Sequence, residues 1–370
     1  MNDTALSIKR EPLAHLVKQA EISRGKAWLI RIVAIVLSLV TGGLLILTLG
    51  HNPLAVYWDM VTGSLSTKTA LIATAKIAIP LLGAAISIAP AFRMKFWNIG
   101  TEGQIMAGAL AASYFALFQH QNMSQPVLLL TMFLVSAAAG GLSGFIPAVF
   151  KAKWGTNETL FTLMLNYIII GFVKYLRMGP WKNPTSMGFP QIATFDQNAR
   201  LPDVFGVNIG WIIVLVLAIL MFIYMRYTKQ GYEISVVGDS IQTSRYIGMN
   251  VPKIIIRTIV ISGAIAGIVG FIIVSGTSYT LSDASSGGYG FTAITVAWLA
   301  GLNPFAMVII TIFLAVLTKG SNTIQTNFQI PASASQVLIG ITLFFMLGCE
   351  FFIKYRVIFR SSRVNGGEQP

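Results

Sequence analysis

Glu158, Thr162 and Asn166 recur at i, i+4 and i+8 in a stretch otherwise made of Leu, Met, Ile and Phe. An α-helix brings such positions onto one face, so a carboxyl, a hydroxyl and an amide line up on an apolar surface. Earlier in the chain, Arg93-Met94-Lys95-Phe96-Trp97 sets two cations and a tryptophan before Asn98-Ile99-Gly100-Thr101-Glu102-Gly103-Gln104, and an apolar run from Ile105 to Phe118 follows. Cations with tryptophan mark a membrane boundary, so Glu102, Gln104 and two glycines enter hydrocarbon depth. A third polar group is Thr292 and Thr295 in the short run from Tyr289 to Ala300. The chemistry on offer is hydrogen bonding, not bond breaking. No nucleophile stands beside a base, and no G-x-x-x-x-G-K-[ST] loop is present to hold a nucleotide. His15, His51 and His120 lack ligand spacing, and the single cysteine, Cys349, excludes an internal disulfide or a thiolate cage. No catalytic residue, metal or cofactor is expected.

Polar groups at membrane depth must face protein or water. Two readings therefore stand for Glu102, Gln104, Glu158, Thr162 and Asn166. They are hydrogen-bonding glue between helices, or they line a translocation path together with Thr292 and Thr295. A neutral, hydroxyl-rich solute needs weak hydrogen-bonding groups rather than a trapping charge. Asn166, Thr292 and Thr295 suit that need, whereas Glu102 between its glycines suits holding a helix entry.

The elements that must position these groups are membrane helices. Of 370 residues, 55% are hydrophobic and 11% charged, with a mean hydropathy of +0.71, against about 25% charged in soluble domains. An all-α polytopic membrane protein is expected, and the net charge of +13 is a matter of loop topology, not of nucleic-acid binding. Apolar windows of about 20 residues fall at Ala27–Leu49, Thr69–Phe92, Ile99–Phe118, Val127–Phe150, Glu158–Leu176, Ile209–Tyr227 and Ile254–Ser275. Tyr289–Ala300, Phe305–Leu317 and Ser335–Ile353 complete about ten segments. The first run is too long for a secretory signal and reads as an uncleaved span. The chain thus divides into an N-terminal tail (1–26), a transmembrane domain (27–355) and a C-terminal tail (356–370), with long loops at 178–208 and 229–253.

With the N-terminus in the cytoplasm, 19 of the 26 lysines and arginines fall on the cytoplasmic side, which places both termini there by the positive-inside rule. Glycine-led short helices at Gly100 and Gly288-Tyr289-Gly290 fall in the third and eighth segments, an odd offset. Segments two to five and seven to ten therefore suit two inverted repeats with broken helices as the walls of a central site. Small residues four apart (Gly103, Ala107, Ala111; Ala137, Gly141; Gly263, Gly267) allow backbones to pack closely.

In the loop 229–253, Asp239 or Ser240 is a helix N-cap, Gly248 stands at a C′ position, and Pro252 opposes continuation. A surface helix of about two turns results, either lying on its own bundle or docking a cytoplasmic partner. The loop 178–208, with Trp181, Phe189 and Phe195 expected to be exposed, lies on the opposite side.

The runs Asn98 to Gln104, Asn157-Glu158-Thr159 with Thr162 to Tyr167, Arg245 to Val251, and Ser262 to Gly267 resemble the permease subunits of bacterial ABC importers for nucleosides and simple sugars, which are related to ribose and branched-chain amino-acid permeases. The resemblance covers about residues 70 to 350, in order. It implies a passive channel-forming subunit in the bacterial cell membrane, carrying a small polar solute, most often a nucleoside, or else a ribose-like sugar. It also implies three partners: a separate ATPase gripping the loop helix at Gly238, Asp239, Arg245 and Gly248, a second permease chain of the same or a different kind, and an extracytoplasmic binding protein. The chain departs from close relatives in carrying Thr292 where they usually have an acid. A secondary transporter is the competing class; it requires a coupling acid near the midplane, and Glu102 and Glu158 read as lying near segment starts.

Overall fold

A computed structural model describes residues 14–18, 23–186 and 188–359. The remainder of the two expected tails, with Lys9, Arg10, Arg360 and Arg363, lies outside the described residues. In order, the elements are β1 (Ala14–Lys18), α1 (Arg24–Thr48), α2 (Pro53–Leu65), α3 (Lys68–Arg93), α4 (Thr101–Phe118), α5 (Gln125–Trp154) and α6 (Glu158–Met178). There follow β2 (Asp203–Val204), β3 (Val207–Asn208), α7 (Gly210–Tyr227), α8 (Lys229–Asp239), α9 (Ile241–Tyr246) and α10 (Val251–Ile273), then α11 (Tyr289–Leu299), α12 (Pro304–Asn327), α13 (Ala332–Lys354) and β4 (Tyr355–Phe359). A π-turn, Val274–Ser278, prolongs α10.

Two compact units are present, one of residues 1–53 and 336–370 and one of residues 54–335. In the first, β1 and β4 pair antiparallel with Ala14 opposite Phe359, and Arg31 of α1 donates to the Glu350 carboxylate of α13 at 2.9 Å. The second contains α2 to α12 and every polar group singled out above.

Among the described residues, eight helices are long and apolar enough to cross a membrane. The other two of the ten expected segments are α4, whose first turn is polar, and α11, which has only 11 residues. The ninth segment was expected to end at Leu317; α12 instead runs on to Asn327, because a helix can continue through residues too polar to register in an apolar window. Helices α2 and α8 were not expected either.

Backbone contact organises the centre. Gly140 on α5 meets Gly263 and Gly267 on α10, Gly108 on α4 meets Gly267, and Gly270 meets the Ile105 carbonyl, all so closely that a Cβ has no room. Small residues permit this approach, and dispersion over the joined surfaces rewards it. Helix α10 packs against α4 and α5, while α3 packs against α11 and α12. The seventh segment thus holds the third and fourth as the second holds the eighth and ninth, the reciprocity two related repeats would give.

Candidate functional site

Helix α4 begins inside the bundle, and its entry is built by side chains. Asn98 turns the chain by accepting from the Gly100 N–H at 3.1 Å, donates to Gln104 Oε1 at 3.1 Å and to Ser262 Oγ of α10 at 3.3 Å, and receives Gln104 Nε2 at 3.3 Å. Asn166 of α6 reaches across with both ends of its amide, accepting from the Gly103 N–H and donating to the Ile99 carbonyl, each at 2.8 Å. A Cβ at Gly103 would collide with Asn166, and one at Gly100 with Thr162. The glycines are therefore needed for contact between α4 and α6.

Glu102 leaves this cluster and caps a different helix. Its carboxylate accepts from the Gly288 N–H at 2.9 Å and the Gly290 N–H at 2.6 Å. Gly288 has φ +74° and opens α11, so one anion satisfies donors that a helix start leaves orphaned and meets the positive end of its dipole. The two broken helices are joined at their N-terminal ends by a single side chain.

Asn98 is 0% exposed, Gln104 and Asn166 1%, and Glu102 3%. Their polar atoms are directed at protein. Glu158 stands apart, paired with Lys151 of α5 at 2.7 Å, and the Thr162 hydroxyl donates back to the Glu158 carbonyl at 2.7 Å. The stripe on α6 is thus one buried face with two employments: Thr162 and Asn166 against the α4 entry, Glu158 against α5. On α11, Thr292 donates to the Gly288 carbonyl at 3.1 Å, and Thr292 and Thr295 are half-buried.

Asn98 and Ser262 were absent from the expected site residues. The signal for Asn98 was present: Asn98-Ile99-Gly100 is repeated as Asn208-Ile209-Gly210. Asn208 performs the same turn, accepting from the Gly210 N–H at 3.1 Å while donating to the Gly276 carbonyl in the π-turn at 2.9 Å. An amide two residues before a glycine marks two of the places where backbone leaves regular geometry inside the bundle.

In the loop 229–253, Ser240 is the cap of α9, accepting from the Thr243 N–H at 3.2 Å, and Asp239 instead ends α8. Gly248 follows with φ +79°, and the Met249 N–H closes on the Ser244 carbonyl at 3.0 Å. Pro252 does not stop α9. It lies in the first turn of α10 behind the Asn250 cap, where its missing N–H is harmless. Gly238 is buried against the Arg93 carbonyl, whereas Arg245 is exposed. Around α9, Ile241, Tyr246 and Ile247 are exposed, Tyr246 to 92%. A cavity of about 360 Å³ between this loop and the ends of α3, α5 and α6 is lined by Lys95, Lys151, Glu158, Asp239 and Gln242 among others.

The loop 178–208 differs from expectation. Phe195 is 1% exposed, its N–H donating to the Tyr279 carbonyl at 2.7 Å, and Trp181 packs against Tyr114 and Phe118 at ring separations of 6.4 and 5.6 Å. Only Phe189 of the three aromatics is exposed; Phe205 is exposed as well. The loop is tied down by Arg200, whose guanidinium donates to the Phe195 carbonyl and stacks over Tyr279 at 4.8 Å. Aromatic area is buried wherever the chain can fold back over apolar helix ends.

A bundle of helices long and apolar enough to cross a membrane, with two broken helices joined at their starts by one capping carboxylate, is the fold of a polytopic membrane protein. Residues 70–347 match the family described as branched-chain amino acid transport system / permease component, and the chain belongs to that family. It is similar to a glucose ABC transporter permease of Haloferax volcanii, 29% identical over 341 residues and 88% of each chain. A nucleoside ABC transporter permease of Lactococcus lactis subsp. cremoris is 29% identical over 88% of this chain and 92% of its own. A guanosine ABC transporter permease of Bacillus subtilis is 29% identical over 86% and 92%. No solved structure matches the chain.

Proposed function

We propose that this permease subunit forms half of the path through which a nucleoside, or alternatively a sugar, is imported, powered by a separate cytoplasmic ATPase and supplied by an extracytoplasmic binding protein. The observation that carries this reading is the interior chemistry: amides, hydroxyls and glycine backbone surround one carboxylate that is fully engaged as a helix cap. Such an interior suits a neutral solute better than a coupling ion. That two of the similar permeases are named for nucleosides supports the nucleoside choice, and one named for glucose keeps the sugar reading open.

In this reading Glu102, Gln104, Glu158, Thr162 and Asn166 hold the wall, and Thr292 and Thr295 face the path. Helix α9, with Gly238 and Asp239 before it and Arg245 and Gly248 at its end, is the ATPase contact, its exposed Ile241, Tyr246 and Ile247 supplying apolar area. The cation-rich end, with both termini, is cytoplasmic, and a second permease chain completes the path. The test is uptake of radiolabelled guanosine and glucose by vesicles with the full complex. Guanosine uptake that needs the ATPase and is not displaced by glucose is expected; uptake that persists after the ATPase is removed would refute the reading.

A further inference from the structure

The outstanding polar surface is the second half of α12. Its first half is apolar, and there Met307, Thr311 and Leu314 are buried on one face. On the continuation of that face stand Thr318, Asn322 and Gln325, at i, i+4 and i+7, with Lys319 and Thr326 beside them. None of these five is buried: Asn322 and Thr326 are exposed and the others half-exposed. Their hydrogen bonds are only local, from Thr318 to the Leu314 carbonyl, from Gln325 to Asn322 and from Thr326 to the Asn322 carbonyl. Lys319 has no acidic partner among the described residues.

This surface lies at membrane depth. Phe305, in the first turn of α12, packs on Phe222 at 4.7 Å, and Arg226 sits over the Phe222 ring at 5.8 Å, so α12 starts at the cation-rich boundary. At about 1.5 Å per residue, Thr318 is about 20 Å, Asn322 about 26 Å and Gln325 about 30 Å farther along, so the surface runs from inside a hydrocarbon layer of about 30 Å to its far edge. Packing by α2 does not account for it. Helix α2 seals a different side, where Gly63 meets Thr323, Gly320 meets Met60, and Ser64 donates to the Val316 carbonyl at 3.0 Å. An unpaired ammonium beside hydroxyls and amides cannot face acyl chains at such depth without a large penalty.

We propose that Thr318, Lys319, Asn322 and Gln325 line the water-filled path in the half of the bundle away from the cation-rich end, forming a subsite for a neutral solute rich in acceptor oxygens. This rests on the permease reading above and adds a location to it. Hydroxyl and amide groups exchange hydrogen bonds with hydroxyls and ring carbonyls, and one ammonium donates without an opposing acid to lock it. The arrangement is selective for polar solutes and weak enough to release them.

The test uses the full complex in native membranes with Cys349→Ala and single substitutions Thr318→Cys, Asn322→Cys and Gln325→Cys. Ile309→Cys and Ile312→Cys serve as controls, since both side chains are exposed on an apolar face. A charged, water-soluble methanethiosulfonate should label the first three and not the controls. In the unlabelled complex, Lys319→Met should lower guanosine or glucose uptake about tenfold, as loss of a charged hydrogen-bond donor does, with membrane abundance unchanged, and Lys319→Arg should retain most of it. Absence of labelling overturns the proposal. So does a disulfide between two permease copies at 322, which would make the stripe a subunit interface, and so does labelling with normal uptake in Lys319→Met. Labelling reads water access alone, so it stands or falls separately from whether an ATPase drives transport.

Discussion

At the scale of single residues, the buried polar groups at the starts of α4 and α11 have partners that a substitution would strand. Asn166→Leu leaves the Gly103 N–H and the Ile99 carbonyl without their 2.8 Å contacts, and an unpaired buried backbone group costs about 1–3 kcal/mol. Thermal unfolding in detergent should therefore fall together with transport; lost transport at an unchanged midpoint would mean that Asn166 serves solute alone. Glu102→Gln keeps the size but replaces one acceptor by an NH₂ facing an N–H. Folded yield should drop while the preference between guanosine and glucose stays; a changed preference with normal yield would place Glu102 in the path. The types and spacing of these residues were legible in the chain, since a polar stripe on an apolar helix must be satisfied by something. Their partners were not. That Glu102 reaches Gly288 and Gly290, just over half the sequence away, depends on how two helix starts meet, and no local pattern encodes it.

At the scale of elements, helix α9 makes the sharpest case. Its Ser240 cap and Gly248 terminus were readable because capping is local chemistry, whereas α8 was not, with glycines at 231 and 238 arguing against a helix. Both glycines are explained by neighbours: Gly231 lies against the Tyr224 and Met225 carbonyls, and Gly238 against Arg93. Gly248 has open space around it and a left-handed φ, so Gly248→Pro, which requires negative φ, should break the turn. Tyr246→Ser removes an exposed ring and no internal contact. Both variants should insert normally and lose ATPase-dependent uptake; coprecipitation of the ATPase with Tyr246→Ser at wild-type yield would show that α9 is not the contact. The polar end of α12 was missed for the opposite reason: hydropathy windows stop where lipid contact stops, and a helix facing water or protein has no cause to stop there.

At the scale of the whole molecule, the chain's two ends belong to one unit, joined through β1 with β4 and through Arg31 with Glu350. Opposite charges seven residues into α1 and four before the end of α13 lie within or near the hydrocarbon, where an ion without its partner is disfavoured. The Arg31 side chain is 40% exposed and that of Glu350 17%, so the pair's worth is below that of a fully buried one, about 1–2 kcal/mol. Removing either charge takes this partner from the other, whereas removing both leaves neither charge in place. Glu350→Leu should therefore reduce permease abundance in the membrane and its unfolding midpoint, and Arg31→Leu combined with Glu350→Leu should recover most of both. The exchanged pair, Arg31→Glu with Glu350→Arg, should recover less, because each new charge meets surroundings arranged for the other. If the double leucine variant is no better than Glu350→Leu alone, the two residues act independently, and the closure of the unit rests on the strand pair and helix packing.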